Sequence, residues 1–133
     1  PTYLAGYYKY KAGDQFTEGG KPVNGKRDIC DIYAIMYETS ESVPTLDGTN
    51  AFTSPNLIST ARINNAKETN EWTYFKLPFT TLPGKFIDKE KLMDGKYNIA
   101  IVFTSSLEGD HFNGAIGSTL LIDEAELIYH SED

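Results

Sequence analysis

The chain has 133 residues, a length that suits one domain around one core. Apolar residues make up 40% and charged residues 23%, and nineteen acids against twelve bases leave a net charge of −7. That balance argues against nucleic acid or an anionic membrane as the main partner, since both require clustered Lys and Arg. No apolar run approaches the ~20 residues of a membrane-spanning helix.

In chain order, the opening PTYLAGYY has neither an initiator methionine nor a secretory leader and enters a strand almost at once. The chain is therefore expected to be a processed product or a piece of a longer protein. Short segments rich in β-branched and aromatic residues predict strands over Tyr3–Lys11, Ile29–Glu38, Leu57–Ile63, Trp72–Phe79, Tyr97–Thr104 and Thr119–His130. Between them lie AGD, EGGKPVNGK, SVPTLDGTN, NNAKETNE, LPGK and SLEGDHFNGAIGS, which supply the Gly, Pro, Asn and Asp of turns. One short helix is predicted in DKEKLMD, with Asp88 as its N-cap. The absence of long helical segments excludes a βαβ architecture and predicts an all-β fold, an antiparallel sandwich.

Period-2 alternation assigns faces. Phe75, Leu77 and Phe79 are expected toward the core, with Trp72, Tyr74 and Lys76 opposite. Ile99, Ile101 and Phe103 are likewise expected inward, leaving Asn98, Ala100, Val102 and Thr104 outward. Tyr8 and Tyr10 should be inside, and Tyr7 should share a wet face with Lys9 and Lys11. Arg62 marks an outer row with Thr60 and Ile58. The segment ICDIYAIMY is apolar on both rows and reads as a central strand covered on both faces. An open face gathering Tyr7, Lys9, Arg62, Trp72 and Tyr74 would offer aromatic planes beside hydrogen-bonding groups, the combination a sugar ring needs. The alternative is structural: Trp72 covering a sandwich edge and the tyrosines forming cross-strand pairs.

Catalytic patterns are scarce. No GxSxG elbow is present, and neither His111 nor His130 has a partner at metal-ligand spacing. The glycine-rich SSLEGDHFNGAIGSTLLID lacks a P-loop lysine and leads into a strand rather than a helix, which closes the phosphate-loop reading. Gly114 and Gly117 are expected to serve backbone geometry there. The acids Asp28, Asp31, Glu38, Glu68, Glu71, Glu108 and Asp110 are the pool from which a glycosidase pair would have to be drawn, and nothing local pairs them. No cofactor is called for. A structural calcium with Asp123 as a ligand is the one metal option, although no DxDxDG series is present. The single cysteine, Cys30, reads as a buried, inert thiol.

Three segments carry a resemblance: GYYKYKAGD, WTYFKLPF and YNIAIVFTSSLEGDHFNGAIGSTLLIDEAELIY. Together they resemble the "putative carbohydrate metabolism domain" of secreted Bacteroidetes proteins. The resemblance implies a jelly-roll sandwich similar to galactose-binding and carbohydrate-binding modules. It also implies an extracellular, cell-surface or periplasmic setting, with a lipoprotein anchor as one form. Family members have strands before the GYYKY segment, so the resemblance further implies that this single sandwich domain is the C-terminal portion of a larger protein, with an exposed sheet edge covered by a preceding domain or a second copy.

The resulting expectation is a module that binds poly- or oligosaccharide. Tyr7, Trp72 and Tyr74 would stack on sugar rings; Lys9, Arg62, Asp110 and His111 would meet hydroxyls. Two rivals stay open: a glycoside hydrolase with a carboxylate pair in a pocket, and a structural or adhesive sandwich.

Overall fold

The structure, a computed structural model, describes residues 1–40, 46 and 51–129. The described residues form ten strands: β1 (Tyr3–Lys11), β2 (Phe16–Glu18), β3 (Lys21–Pro22), β4 (Asp31–Glu38), β5 (Leu57–Arg62), β6 (Thr69–Pro78), β7 (Thr80–Thr81), β8 (Tyr97–Thr104), β9 (Asn113–Ala115) and β10 (Thr119–Ile128). One helix, α1 (Lys89–Met93), precedes β8, and Asp88 caps it by accepting from the Glu90 N–H at 2.9 Å. The expected all-β class is realised as an antiparallel sandwich of two main sheets, ordered β10-β1-β6 and β7-β5-β4-β8. A third, small sheet, β3-β2-β9, ties the glycine-rich loop to the start of the chain.

The main core lies between the two large sheets. Leu4, Tyr8 and Tyr10 of β1 and Phe75 and Leu77 of β6 meet Ile32 and Ala34 of β4 and Ala61 of β5. Leu4, Ile32 and Ile35 are sealed from solvent. As its two apolar rows require, β4 is covered on both faces. A second cluster of Tyr33, Ile35, Tyr37, Leu46, Ala51 and Leu57 packs on its far side. Tyr10 donates its hydroxyl proton to the Ser105 carbonyl at 2.7 Å, and burial pushes its pKa up to about 12. Burial likewise raises the Cys30 thiol to about 11, so it is the inert core residue its neighbours imply.

Four expectations are corrected. Ile101 and Phe103 keep the inward parity but remain 41% and 37% exposed, because β8 is the last strand of its sheet. Ile58 is buried rather than on an outer row, since a register shift where β4 passes Met36 to Tyr37 leaves it out of the alternation. β6 starts at Thr69, ahead of the Trp72 expected. The last strand ends at Ile128, and His130 lies outside the described residues.

Candidate functional site

Residues expected on one face are divided between two. Tyr7, Lys9, Trp72 and Tyr74 stand on the outer face of the β10-β1-β6 sheet, where register sets Tyr7 beside Tyr74 on one side and Asp123 on the other. The Tyr7 and Tyr74 rings pack tilted, 5.2 Å apart, and the Lys9 ammonium sits 4.8 Å from the Trp72 ring centre. Trp72 and Tyr74 are exposed, but their ring faces already have partners within the sheet. Asp123 accepts the Glu124 N–H at 2.8 Å where Glu124 turns to φ +51 and the β1–β10 register shifts. It therefore supports a bend in the strand. Among the described residues no three His, Cys, Asp or Glu side chains cluster to hold a metal ion.

Arg62 and His111 lie on the other main sheet's outer side, in a recess of about 560 Å3. This is within the usual size of small-ligand pockets, roughly 300–1,000 Å3. Its floor is made by the ends of three adjacent strands: Asp31 and Tyr33 of β4, Arg62 of β5, and Val102 and Thr104 of β8. Register places Tyr33 beside both Arg62 and Val102, and Asp31 beside Thr104, so one parity aims all five side chains the same way. The walls are Phe52 on one side and Ser106, Leu107, Glu108 and His111 on the other.

The centre of the recess is a fork-to-fork ion pair. Arg62 donates from Nε to Asp31 Oδ1 at 3.2 Å and from Nη2 to Oδ2 at 2.7 Å. Asp31 is 5% exposed and Arg62 41%, so the acid is the anchor and the guanidinium the accessible partner. The guanidinium stacks 4.2 Å from the Phe52 ring centre and 5.5 Å from that of Tyr33, and the two rings meet edge-on at 4.8 Å. Two of the five Arg62 N–H donors go to Asp31. Glu108, on the far wall, lies 3.7 Å from the Lys26 ammonium.

The His111 wall is held by Asp28, which is buried at 5% exposure. Its Oδ2 accepts from Ser106 Oγ at 2.5 Å, Ser118 Oγ at 2.6 Å and the Ala115 N–H at 3.0 Å, and its Oδ1 accepts from the Ile29 N–H at 2.9 Å. One carboxylate thus clasps both ends of the glycine-rich segment. Gly114 passes close to this clasp: a Cβ there would lie 2.9 Å from Ser106 Oγ and 3.2 Å from Asp28 Oδ2. Gly117 takes φ +92 in the turn that delivers β10. The expected geometric role of both glycines is met. Asp110 belongs by its backbone to the 3-10 turn Gly109–His111, and its side chain lies outside the described set.

The sequence does not mark Phe52 and Tyr33 as ligand contacts, and in it Asp31 and Glu108 stand in an undivided pool of acids. Asp31 had a usable signal, since a lone carboxylate inside an otherwise apolar central strand must be paired. Phe52 had none, because it stands in a loop outside any periodic segment.

The sequence pattern of the family described as "Putative carbohydrate metabolism domain" matches residues 1–128. Solved structures similar to the chain include two from Bacteroides species. One, from Bacteroides thetaiotaomicron and described as a putative glycoside hydrolase, is 89% identical with a TM-score of 0.96 over 99% of this chain. Another, from Bacteroides vulgatus and described in the same words, is 47% identical with a TM-score of 0.89 over 96% of this chain. This chain spans 39% of the first and 52% of the second. No curated protein matches it. The chain belongs to the putative carbohydrate metabolism domain family.

Proposed function

We propose that the chain binds a neutral oligosaccharide in the recess around Arg62, without cleaving it. The observation that carries this reading is the Asp31–Arg62 fork with Phe52 and Tyr33 beside it. A sugar ring presents an apolar C–H face and a rim of hydroxyls, and the recess offers aromatic rings, guanidinium N–H donors and carboxylate acceptors within one cavity. Arg62 and Asp31 neutralise each other, so together they orient hydroxyls without selecting for charge. An acidic sugar would meet Glu108 and Asp31 with the charge of Arg62 already neutralised.

The relatives' description as "putative glycoside hydrolase" supports the rival reading, which requires two carboxyl groups free to act on a glycosidic bond. In the recess both Asp31 oxygens are held by Arg62, which favours binding over proton transfer. In line with the family resemblance, we place the module among extracellular or surface proteins that handle glycans.

Calorimetric titration with a panel of neutral oligosaccharides tests the proposal. Sub-millimolar binding is expected, weakened about tenfold, or ~1.4 kcal/mol, by Phe52→Ala and by Arg62→Lys, which keeps the charge and loses the fork. Binding that ignores both and is lost in Trp72→Ala or Tyr74→Ala would move the site to the opposite sheet. Release of reducing ends from any member of the panel would replace the binding reading with the hydrolase.

A further inference from the structure

The two main sheets close on each other unevenly. β6 lies across from β5, so β8 and β10 share the opposite flank. There the inner face is incomplete. Ile101 is level with Ala34 and Phe103 with Ile32, and both β4 residues are 0% exposed, yet Ile101 and Phe103 are 41% and 37% exposed. The facing residues of β10, Leu120 and Ile122, are only partly buried against the same core. At the foot of β8, α1 buries none of its residues and leaves Leu92 51% and Met93 87% exposed. A five-residue helix cannot hold itself together by propensity alone, since isolated helices are marginal below roughly 12 residues.

The edges differ in their protection. β6 carries Glu71, Lys76 and Pro78; β10 carries Asp123, Glu124 and Glu126 and a register shift; β3, β7 and β9 are two or three residues long. Charges, prolines, bulges and shortness are the usual guards against unwanted strand pairing. β8, YNIAIVFT, has none of these over eight residues and pairs only with β4 among the described strands. An unguarded edge beside uncovered inward-facing side chains has the character of a strand acceptor.

We propose that the free edge of β8 accepts an additional β-strand that covers Ile101 and Phe103. We further propose that this strand comes from polypeptide of the same parent chain, of the kind the relatives carry outside the matched region. In the 89%-identical relative the matched region is 39% of the chain, so most of that polypeptide lies outside it. A second copy is the poorer occupant, because each brings a net charge of −7 and a tethered segment has the advantage of effective concentration. Since Val102 and Thr104 of β8 also floor the recess, the added strand borders the candidate carbohydrate site and supplies a further wall.

Hydrogen exchange compared between this chain and the full-length relative from Bacteroides thetaiotaomicron tests the proposal without depending on any sugar. Amides of Tyr97–Thr104 are expected to exchange at least tenfold more slowly in the full-length protein, with β1 and β4 protected in both. Ile101→Lys should leave the melting temperature of this chain within about 2 °C, and lysine at the matching position of the full-length relative should lower that protein's by about 5 °C or more. Equal exchange of β8 in the two proteins, or equal tolerance of the lysine, overturns the proposal. Protection of β8 that rises with the concentration of this chain alone would assign the edge to a second copy, and overturns it as well.

Discussion

On the outer face of the β10-β1-β6 sheet, Tyr7, Trp72 and Tyr74 stand among Lys9, Lys76 and Leu121. On the outer side of the β7-β5-β4-β8 sheet, Tyr33 and Phe52 surround Arg62. The first face has the larger aromatic surface, and cross-strand neighbours occupy it. The second has fewer rings, but loops raise walls around them and a buried acid fixes the cation between them. Aromatic content alone did not separate the two. The difference is made by residues distant in sequence: Asp28 reaches Ser106, Ala115 and Ser118 across 78, 87 and 90 positions. Local pairing keeps the first face together; long-range closure makes the second a recess.

The largest effect is expected where that closure fails. Asp28→Ala leaves three donors of the clasp without their acceptor, at ~1–3 kcal/mol for each buried group left unsatisfied. Urea unfolding should show a loss of about 3 kcal/mol or more, and oligosaccharide binding should vanish with it. The opposite face should keep its Trp72 fluorescence below the transition. Gly114→Ala presses a methyl group into the same clasp and should cost ~1–3 kcal/mol by overpacking, read from the same unfolding curves.

A third measurement compares the faces directly. In one titration series Phe52→Ala should weaken binding about tenfold and Trp72→Ala less than twofold, a gap of roughly 1 kcal/mol. A fourth uses pH. The folded protein holds the Tyr10 proton to about 12 against an ordinary 10.0. The raised value makes a contribution that is complete below pH 10 and is lost as pH climbs toward 12. Tyr10→Phe should remove that part of the alkaline decline and cost ~1 kcal/mol at neutral pH through the lost bond to Ser105. The smallest effect is expected from Lys9→Met, which gives up the contact over Trp72, worth roughly 0.5–1 kcal/mol at an exposed site.

The long strands were legible because alternation and turn residues state them locally. Tyr3–Lys11 and Tyr97–Thr104 agree residue for residue, and the Asp88-capped helix is where its sequence puts it. The β3-β2-β9 sheet was not legible. Its strands are two or three residues long and one of them is Asn113-Gly114-Ala115, with no periodicity to detect. Alternation gave the parity of Ile101 and Phe103 correctly and their burial wrongly, since parity is local and burial depends on what lies beyond β8. At the site, Arg62 and His111 were named with residues from the other face because a sequence shows which residues share a strand face but not which sheet faces which way. Asp28 and Asp31 looked alike among the acids. Only the fold distinguishes the clasp from the floor of the recess.

The Asp28 clasp also has a kinetic side. Each of its contacts to Ser106, Ala115 and Ser118 closes a loop of about 80–90 residues, and that chain entropy is spent before the contact returns anything. β1 meets β6, and β4 meets β5 and β8, through many cooperative pairings. The clasp rests on a few hydroxyls and one amide. The glycine-rich wall is accordingly expected to dock after the sheets have formed and to open before they come apart. It would then work as a gate, with access to the recess set by the lifetime of one carboxylate's hydrogen bonds.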